Sequence, residues 1–394
     1  MKLNEFKARY PSLPVREVAI IGIGASKFDS ITAGQSYKEL MYEAAKKAYS
    51  DAGVDAREDV GSFICCAEDF WEGNSISDEY MPDQIGAKLR PLMTVSGDGL
   101  LGLAHGYMHI MAGVTDVVVV ESHSKLSDVV SKRQVENLGF DPLFARLRNV
   151  DPKYLAGLEM RRYLEESGNS VEDCASVVVK NCKNALRNPR AVYGNDLKEN
   201  DVLSSEEIAA PLRDLEISKP ADCSVVLVLA TAKKARRLSE KPIWISGISW
   251  FSDSPNVEDM DLGQAIYAAN SSQKAYKMAR ITRPSTQLDF AEIDDTFAYK
   301  ELQHIEALGL AKRAGKFITS GKADREGILP VNPSGGSLGM GYFAEATSLV
   351  RTLEAVLQLR GEAGPLQIQS PRRCVVQSWR RLPTQSGATA VLSR

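Results

Sequence analysis

Short apolar runs that end near glycine and lead into helical stretches constrain this chain more than any other feature. Residues 18–24 (VAIIGIG) form such a run. Residues 36–52 follow it, with Leu40, Met41, Ala44, Ala45 and Ala48 on one stripe and Gly53 as the stop. A short continuous apolar run bounded by turn residues reads as a strand buried on both faces, and a stripe at helical spacing reads as a helix with one face covered. Residues 63–67 and 115–121 (TDVVVVE) predict further buried strands. Residues 100–112 between them are small or apolar nearly all round, as expected of a helix buried on most sides. Strands and helices alternating in this way predict a mixed α/β architecture.

From about 124 to 215 the residues become more polar and helical, with helices expected at 154–166 and 171–186 and a stop at Asn188-Pro189. This segment reads as a helical cap inserted into the first half, which resumes as a strand at 223–230. The second half repeats the first. Residues 243–247 (IWISG) open it as 18–22 (VAIIG) open the chain, and 331–341 with the helical stretch 344–359 mirror 92–102 and their helix. The expected organisation is an N-terminal half at 1–123 and 216–235, the cap at 124–215, and a C-terminal half at 236–394. A length of 394 residues suits two packed α/β halves.

Composition serves mainly to exclude. A net charge of −3 offers no basic field to nucleic acid or to an anionic membrane. The longest apolar stretches, such as 225–230, fall far short of the ~20 residues of a membrane span. Residues 1–16 mix charged and apolar side chains, unlike a secretory signal. Cys65, Cys66, Cys174, Cys182, Cys223 and Cys374 form no CxxC pair, and His105, His109, His123 and His304 complete no zinc pattern with them. The spacing therefore predicts no metal, and reduced thiols in a cytoplasmic protein. Gly22 and Gly24 begin a dinucleotide fingerprint, but Lys27 stands where its third glycine belongs. Residues 68–80 (EDFWEGNSISDEY), acidic and aromatic, read as a surface loop at a dimer or partner contact.

Four segments carry chemistry. Residues 91–113 (PLMTVSGDGLLGLAHGYMHIMAG) resemble the thiolase segment in which a nucleophilic cysteine precedes a buried helix; Ser96 stands at the cysteine and Gly99 at the motif glycine. Residues 291–299 (AEIDDTFAY) resemble the His-Asp-x-Phe motif of sterol-carrier-protein-type and archaeal thiolases. Asp295 and Phe297 match, and Asp294 replaces the histidine. Residues 329–348 (LPVNPSGGSLGMGYFAEATS) resemble the stretch Asn-Pro-x-Gly-Gly leading to Gly-His-Pro. Asn332, Gly335, Gly336 and Gly341 match, and Tyr342 replaces the histidine. Residues 377–392, where thiolases often place a second cysteine, hold Gly387 but no cysteine. Residues 211–230 also match, with Asp222 retained.

The resemblance implies a thiolase-like fold of two similar α/β halves in layers, with the helical cap, and a homodimer. It also implies chemistry without a thiolate. Cysteine ionises near pH ~8.5 and lower at a helix amino terminus, whereas a serine hydroxyl needs a general base, and the usual histidine is absent. Thiolase-like aldolases of steroid side-chain degradation resemble thiolases, lack the cysteine and depend on tyrosines, one at the place of Tyr342. Their logic is retro-aldol cleavage of a 3-hydroxyacyl-CoA with no covalent intermediate.

The implied catalytic set is Tyr342, Asp294, Ser96 and Tyr299, with Tyr299 in place of the aldolases' second tyrosine. Ser96 reads either as this group's oxyanion contact or as the cap of the helix that follows. Asp294 and Asp295 cannot both face one site from a regular strand, which leaves Asp295 as a ligand of backbone amides. Gly99, Phe297, Asn332, Gly335, Gly336 and Gly341 would line the substrate and CoA region. Arg372, Arg373, Arg380 and Arg381 read as a solvated face or as holders of CoA phosphates. Coenzyme A enters as part of the substrate, with no bound cofactor, and a small zinc-ribbon/OB-fold partner is implied. Two alternatives stay open: thiolase-type acyl transfer on a 3-ketoacyl-CoA, and a catalytically silent acyl-CoA-binding subunit.

Overall fold

The computed structural model describes residues 17–68, 77–254 and 256–394. The expectations for residues 1–16, and for 69–76 of the acidic and aromatic segment, lie outside the described residues.

Strand β1 (Val18–Ala25) leads to helix α1 (Tyr37–Ala52). Ser36 and Glu39 form a capping box at the helix start, and Gly53, at φ 63°, ends it in the left-handed conformation. Gly22 and Gly24 have a packing role. A Cβ on either would lie 2.5 or 2.2 Å from a backbone carbonyl of α1, so the helix can lie directly on the strand only where no side chain intervenes.

Eight further strands complete one mixed sheet: β2 (Ser62–Cys66), β3 (Leu92–Val95), β4 (Val117–Lys125), β5 (Asp222–Thr231), β6 (Ile243–Ser252), β7 (Phe290–Glu292), β8 (Arg373–Gln377) and β9 (Ser386–Ser393). Their order is β3-β2-β4-β5-β1-β6-β9-β8-β7. In the first half β3, β2 and β4 are parallel, while β4–β5 and β5–β1 are antiparallel. In the second half β7 and β8 are parallel, and β8–β9 and β9–β6 antiparallel. Val331 bridges Ala291 in parallel at the outer edge, in the place that β3 holds in the first half. The same strand order and sense thus occur twice, joined where Ala19 and Ile20 meet Trp244 and Ile243.

Helices α2 (Gly99–Met111) and α9 (Thr347–Arg360) occupy equivalent places in the two halves. Their Leu100, Leu103, Leu349 and Leu353 share one core with Val118, Leu227, Val376 and Ala390 from both halves of the sheet. Gly99 permits the crossing, since a Cβ there would sit 2.3 Å from Leu349. The outer face of the first half packs on α1.

Residues 124–215 contain α3 (Lys132–Asn137), α4 (Pro152–Ser167) and α5 (Val171–Ala185). They interrupt the first half in sequence, yet α4 and α5 pack against the second. Leu155, Met160, Tyr163 and Val177 join the core of α6 (Ile266–Met278) and α7 (Ala298–Ala307), with Tyr267, Leu302 and Ile305. Burial of this apolar face is the main force that docks the segment there. Among the described residues no helix is long and apolar enough to cross a membrane.

Candidate active site

The amino terminus of α2 favours negative charge through its amides and dipole. Its cap is Asp98, not Ser96: the Asp98 carboxylate accepts from the amides of Leu100 at 2.8 Å and Leu101 at 3.3 Å. Asp98 also accepts from the hydroxyls of Ser348 at 2.9 Å and Ser378 at 3.0 Å, tying α2 to the first turn of α9 and to the end of β8. Ser96, two residues earlier, is exposed, and its hydroxyl accepts from Arg380 at 3.3 Å.

Beyond β8 the chain turns inward and carries two arginines into this region. Arg380 donates to Glu68 at 2.8 Å, and Arg381 donates to the other Glu68 oxygen at 3.0 Å. Arg381 also donates to Glu345 at 3.3 Å and to the hydroxyl of Tyr342 at 3.4 Å. Of the arginines read as a solvated face, Arg372 is exposed, whereas Arg380 and Arg381 are half-buried in ion pairs. Glu68 is more than 300 residues away in sequence, so no local pattern could have disclosed the pairing.

A cavity of about 180 Å³ opens between α3 and the 380–384 turn, lined by Glu68, Ser96, Glu136, Arg380 and Arg381 among others. A narrow recess behind it reaches Gly97, Asp98, Tyr342, Glu345 and Trp379. Among the described residues neither lining contains cysteine or histidine. Burial pushes the Tyr342 hydroxyl up by more than Arg381 draws it down, so the phenol stays protonated while it accepts from Arg381. Burial likewise raises the Glu136 carboxyl against the pull of Arg381. Glu136 was not singled out in the sequence, where it is one charge on a short polar helix.

The remaining candidates lie outside this lining. Asp294 and Asp295 follow β7 in irregular backbone, where strand alternation no longer applies, and both contact Arg351, at 2.7 and 3.3 Å. Burial would raise the Asp294 carboxyl, but Arg351 and the Thr296 amide hold it below the ordinary carboxylate range. Asp295 accepts from the amides of Ser337 and Leu338, and burial above all pushes it up to about 6. Tyr299 donates to Glu159 at 2.7 Å in the core, beside Lys300, whose ammonium also pairs with Glu159 and lies 4.1 Å from the centre of the Trp379 ring. His304 is neutral, pushed down to about 3 by burial first and Lys300 next. Its Nδ1 donates to the Asp294 carbonyl and its Nε2 accepts from Tyr267.

The matched glycines and asparagine brace this region from behind. Asn332 accepts from the Ile293 amide at 2.8 Å and donates to Glu301 at 2.7 Å. Gly336, at φ 57°, opens the short helix α8 (Gly336–Met340) where a Cβ would meet the Asp295 carboxylate at 2.1 Å, and a Cβ on Gly335 would lie 2.6 Å from Ala185. Gly341 abuts Ala221 just before Tyr342, and Phe297 stacks on Tyr299. All six cysteines are free and buried, with Cys66 pushed well up by burial and Cys182 up to about 11.

This arrangement of duplicated halves around two central helices defines a class. The profile described as thiolase C-terminal domain-like matches residues 251–394. An acetyl-CoA acetyltransferase of Methanocaldococcus jannaschii is 30% identical over 365 residues, covering 88% of this chain and 90% of that one. A 17-hydroxy-3-oxo-4-pregnene-20-carboxyl-CoA lyase of Mycobacterium tuberculosis is 28% identical over 363 residues, covering 88% and 92%. A solved structure, the Ltp2-ChsH2(DUF35) aldolase, superposes with a TM-score of 0.81 at 24% identity, covering 97% of this chain and 98% of that one, and shares its fold.

The chain belongs to the thiolase superfamily, and it is also similar to sterol carrier protein 2 of Homo sapiens, 24% identical over 378 residues, covering 90% of this chain and 68% of that one. At the level of the family the chemistry is that of acyltransferases and lyases acting on acyl-CoA.

Proposed function

We propose that this chain cleaves or forms a carbon–carbon bond of an acyl-CoA thioester by a retro-aldol route, without an acyl-enzyme. The observation that carries this reading is the Tyr342 hydroxyl, held beside Arg381 at the amino terminus of α2 in a recess with no cysteine or histidine among the described residues that line it. A thiolase step needs a thiolate at that place; a retro-aldol step needs proton transfer and an anion-stabilising pocket. The 3-hydroxyl of a 3-hydroxyacyl-CoA loses its proton to a base, for which Glu136 has the raised affinity. The C2–C3 bond breaks, its electron pair forms the thioester enolate, and an aldehyde or ketone departs. Tyr342 donates to the enolate, and a proton returns to C2 to complete the shortened acyl-CoA. Ser96 stands at the mouth of the cavity as a substrate contact.

The neighbour described as an Ltp2-ChsH2(DUF35) aldolase supports a small partner protein for this chain as well. Strand β3, which among the described residues lies at the edge of the sheet with Met93 exposed, supports pairing with a second copy. Six free buried thiols fit the reducing cytoplasm. A silent acyl-CoA-binding subunit is the second reading, favoured by Glu68, Arg380 and Arg381, whose ion pairs leave a recess of only about 10 Å³ before Tyr342.

The test incubates the purified chain, with and without its co-expressed partner, with 3-hydroxyacyl-CoA and 3-ketoacyl-CoA esters, and follows product masses with and without free CoA. Cleavage of a hydroxyacyl ester without free CoA, lost in Tyr342→Phe, supports the aldolase. Cleavage of ketoacyl esters only with added CoA, lost in Ser96→Ala, refutes it in favour of acyl transfer. Binding without turnover selects the silent subunit.

A further inference from the structure

On the face of the first half turned away from the candidate active site, four side chains with metal-binding donors converge. Cys65 on β2 stands in register with Glu121 on the parallel strand β4, and His123 follows two residues along on the same face. The Cys65 sulfur lies 2.9 Å from a Glu121 oxygen and 3.0 Å from the thioether sulfur of Met81. The His123 Nδ1 lies 3.1 and 3.4 Å from the two Glu121 oxygens. The donor atoms of Cys65, Glu121 and His123 all fall within 4.8 Å of one another.

We propose that these residues form a structural zinc site, with Cys65, Glu121 and His123 as ligands and the Met81 thioether closing the fourth side. Zinc bonds of about 2.0–2.3 Å set tetrahedral ligand atoms roughly 3.3–3.7 Å apart. The His123–Glu121 spacing of 3.1 Å would therefore open by about 0.2 Å, and the Cys65 spacings to Glu121 and Met81, 2.9 and 3.0 Å, by roughly 0.6–0.8 Å. Orientation is already provided, as metal ligands require: Ser224 donates to Glu121 at 2.9 Å, and the Tyr37 ring stacks on His123 with centroids 5.2 Å apart.

Charge decides which cation. All four residues are at most 1% exposed, and a site so removed from water must be close to neutral overall. A thiolate and a carboxylate sum to −2, while imidazole and thioether add nothing, so Zn²⁺ gives zero and Cu⁺ leaves a buried negative charge. The position gives the site a purpose. It fastens the end of β2 to β4, and Glu68, which carries both active-site arginines, follows Cys65 by three residues. Sequence spacing conceals the set, because Cys65 and Glu121 are 56 residues apart and meet only through strand pairing.

The experiment uses the full chain purified in chelator-free buffer, with bound metals counted by mass spectrometry. Metal-stripped protein is then titrated separately with ZnCl₂, CoCl₂ and Cu⁺. The expected result is about one zinc per chain, a higher melting temperature on adding zinc, and a tetrahedral cobalt spectrum with a thiolate charge-transfer band. Cys65→Ser and His123→Gln should abolish retention, and His105→Gln should leave it intact. The wild-type cobalt spectrum decides the matter even where Cys65→Ser does not fold. Absence of retained zinc together with absence of a thiolate–cobalt band overturns the proposal and leaves a hydrogen-bonded network. Retention of copper(I) in preference to zinc overturns the charge argument and with it the zinc assignment.

Discussion

Replacing Arg351 by Met isolates the electrostatics that hold the two halves of the 291–348 region together. The guanidinium donates to Asp294 at 2.7 Å, to Asp295 at 3.3 Å and to the Ser337 hydroxyl at 2.6 Å, and all three partners are buried. Methionine fills most of the volume but leaves two adjacent buried carboxylates without their cation. Removing one partner of a buried ion pair costs about 3–5 kcal/mol, and that is the expected loss near pH 8. The pH dependence has a definite sign. In the wild type the lowered Asp294 contributes stability above the unfolded value of ~3.9, lost only as pH falls through its folded value. Asp295, at about 6, runs the other way: its contribution is full below ~3.9 and lost as pH rises through 6. Without Arg351 both carboxyls follow the second pattern, so the deficit should widen from pH 5 to pH 8, by up to about 1.4 kcal/mol per pH unit per proton. Thermal and urea unfolding of both proteins, followed by circular dichroism across that range, measure it. A deficit under about 1 kcal/mol, or one that narrows as pH rises, would refute the reasoning.

Other outcomes follow from the same geometry. Tyr342→Phe should lower turnover of a cleaved ester by about 10²- to 10⁴-fold, with a melting curve close to wild type, since it removes a proton donor rather than a packing group. Gly336→Ala places a Cβ 2.1 Å from the Asp295 carboxylate at φ 57°, and should cost more than about 1 kcal/mol in chemical denaturation. Tyr299→Phe removes one donor from Glu159 in the core and should lower stability by about 1–3 kcal/mol while leaving turnover within a few-fold of wild type. A large selective loss of turnover in Tyr299→Phe would instead return that hydroxyl to the reacting groups.

Much of the architecture is legible in the sequence. The runs at 18–24, 115–121 and 223–230 are strands, because a buried strand needs local apolar continuity and nothing else to be recognised. The duplication was legible for the same reason, since each half must cover the same kind of sheet. The resemblance reads the glycines at 335, 336 and 341 as lining of a substrate pocket. In the structure they make room for Asp295, Ala185 and Ala221.

What the sequence determined by itself is therefore the local half of this protein: where strands and helices lie, and that no cysteine or histidine remains at the family's motif positions. The tertiary structure alone decided that Asp98 rather than Ser96 caps the central helix, and that Asp294 and Asp295 share one arginine. It alone decided that Glu68 draws Arg380 and Arg381 across more than 300 residues to the side of Tyr342. Periodicity and turn chemistry are properties of neighbouring residues and can be read along the chain. Ion pairing, capping by a shared carboxylate and the pKa of a buried phenol depend on which distant groups are excluded from water together, and only folding brings them into contact.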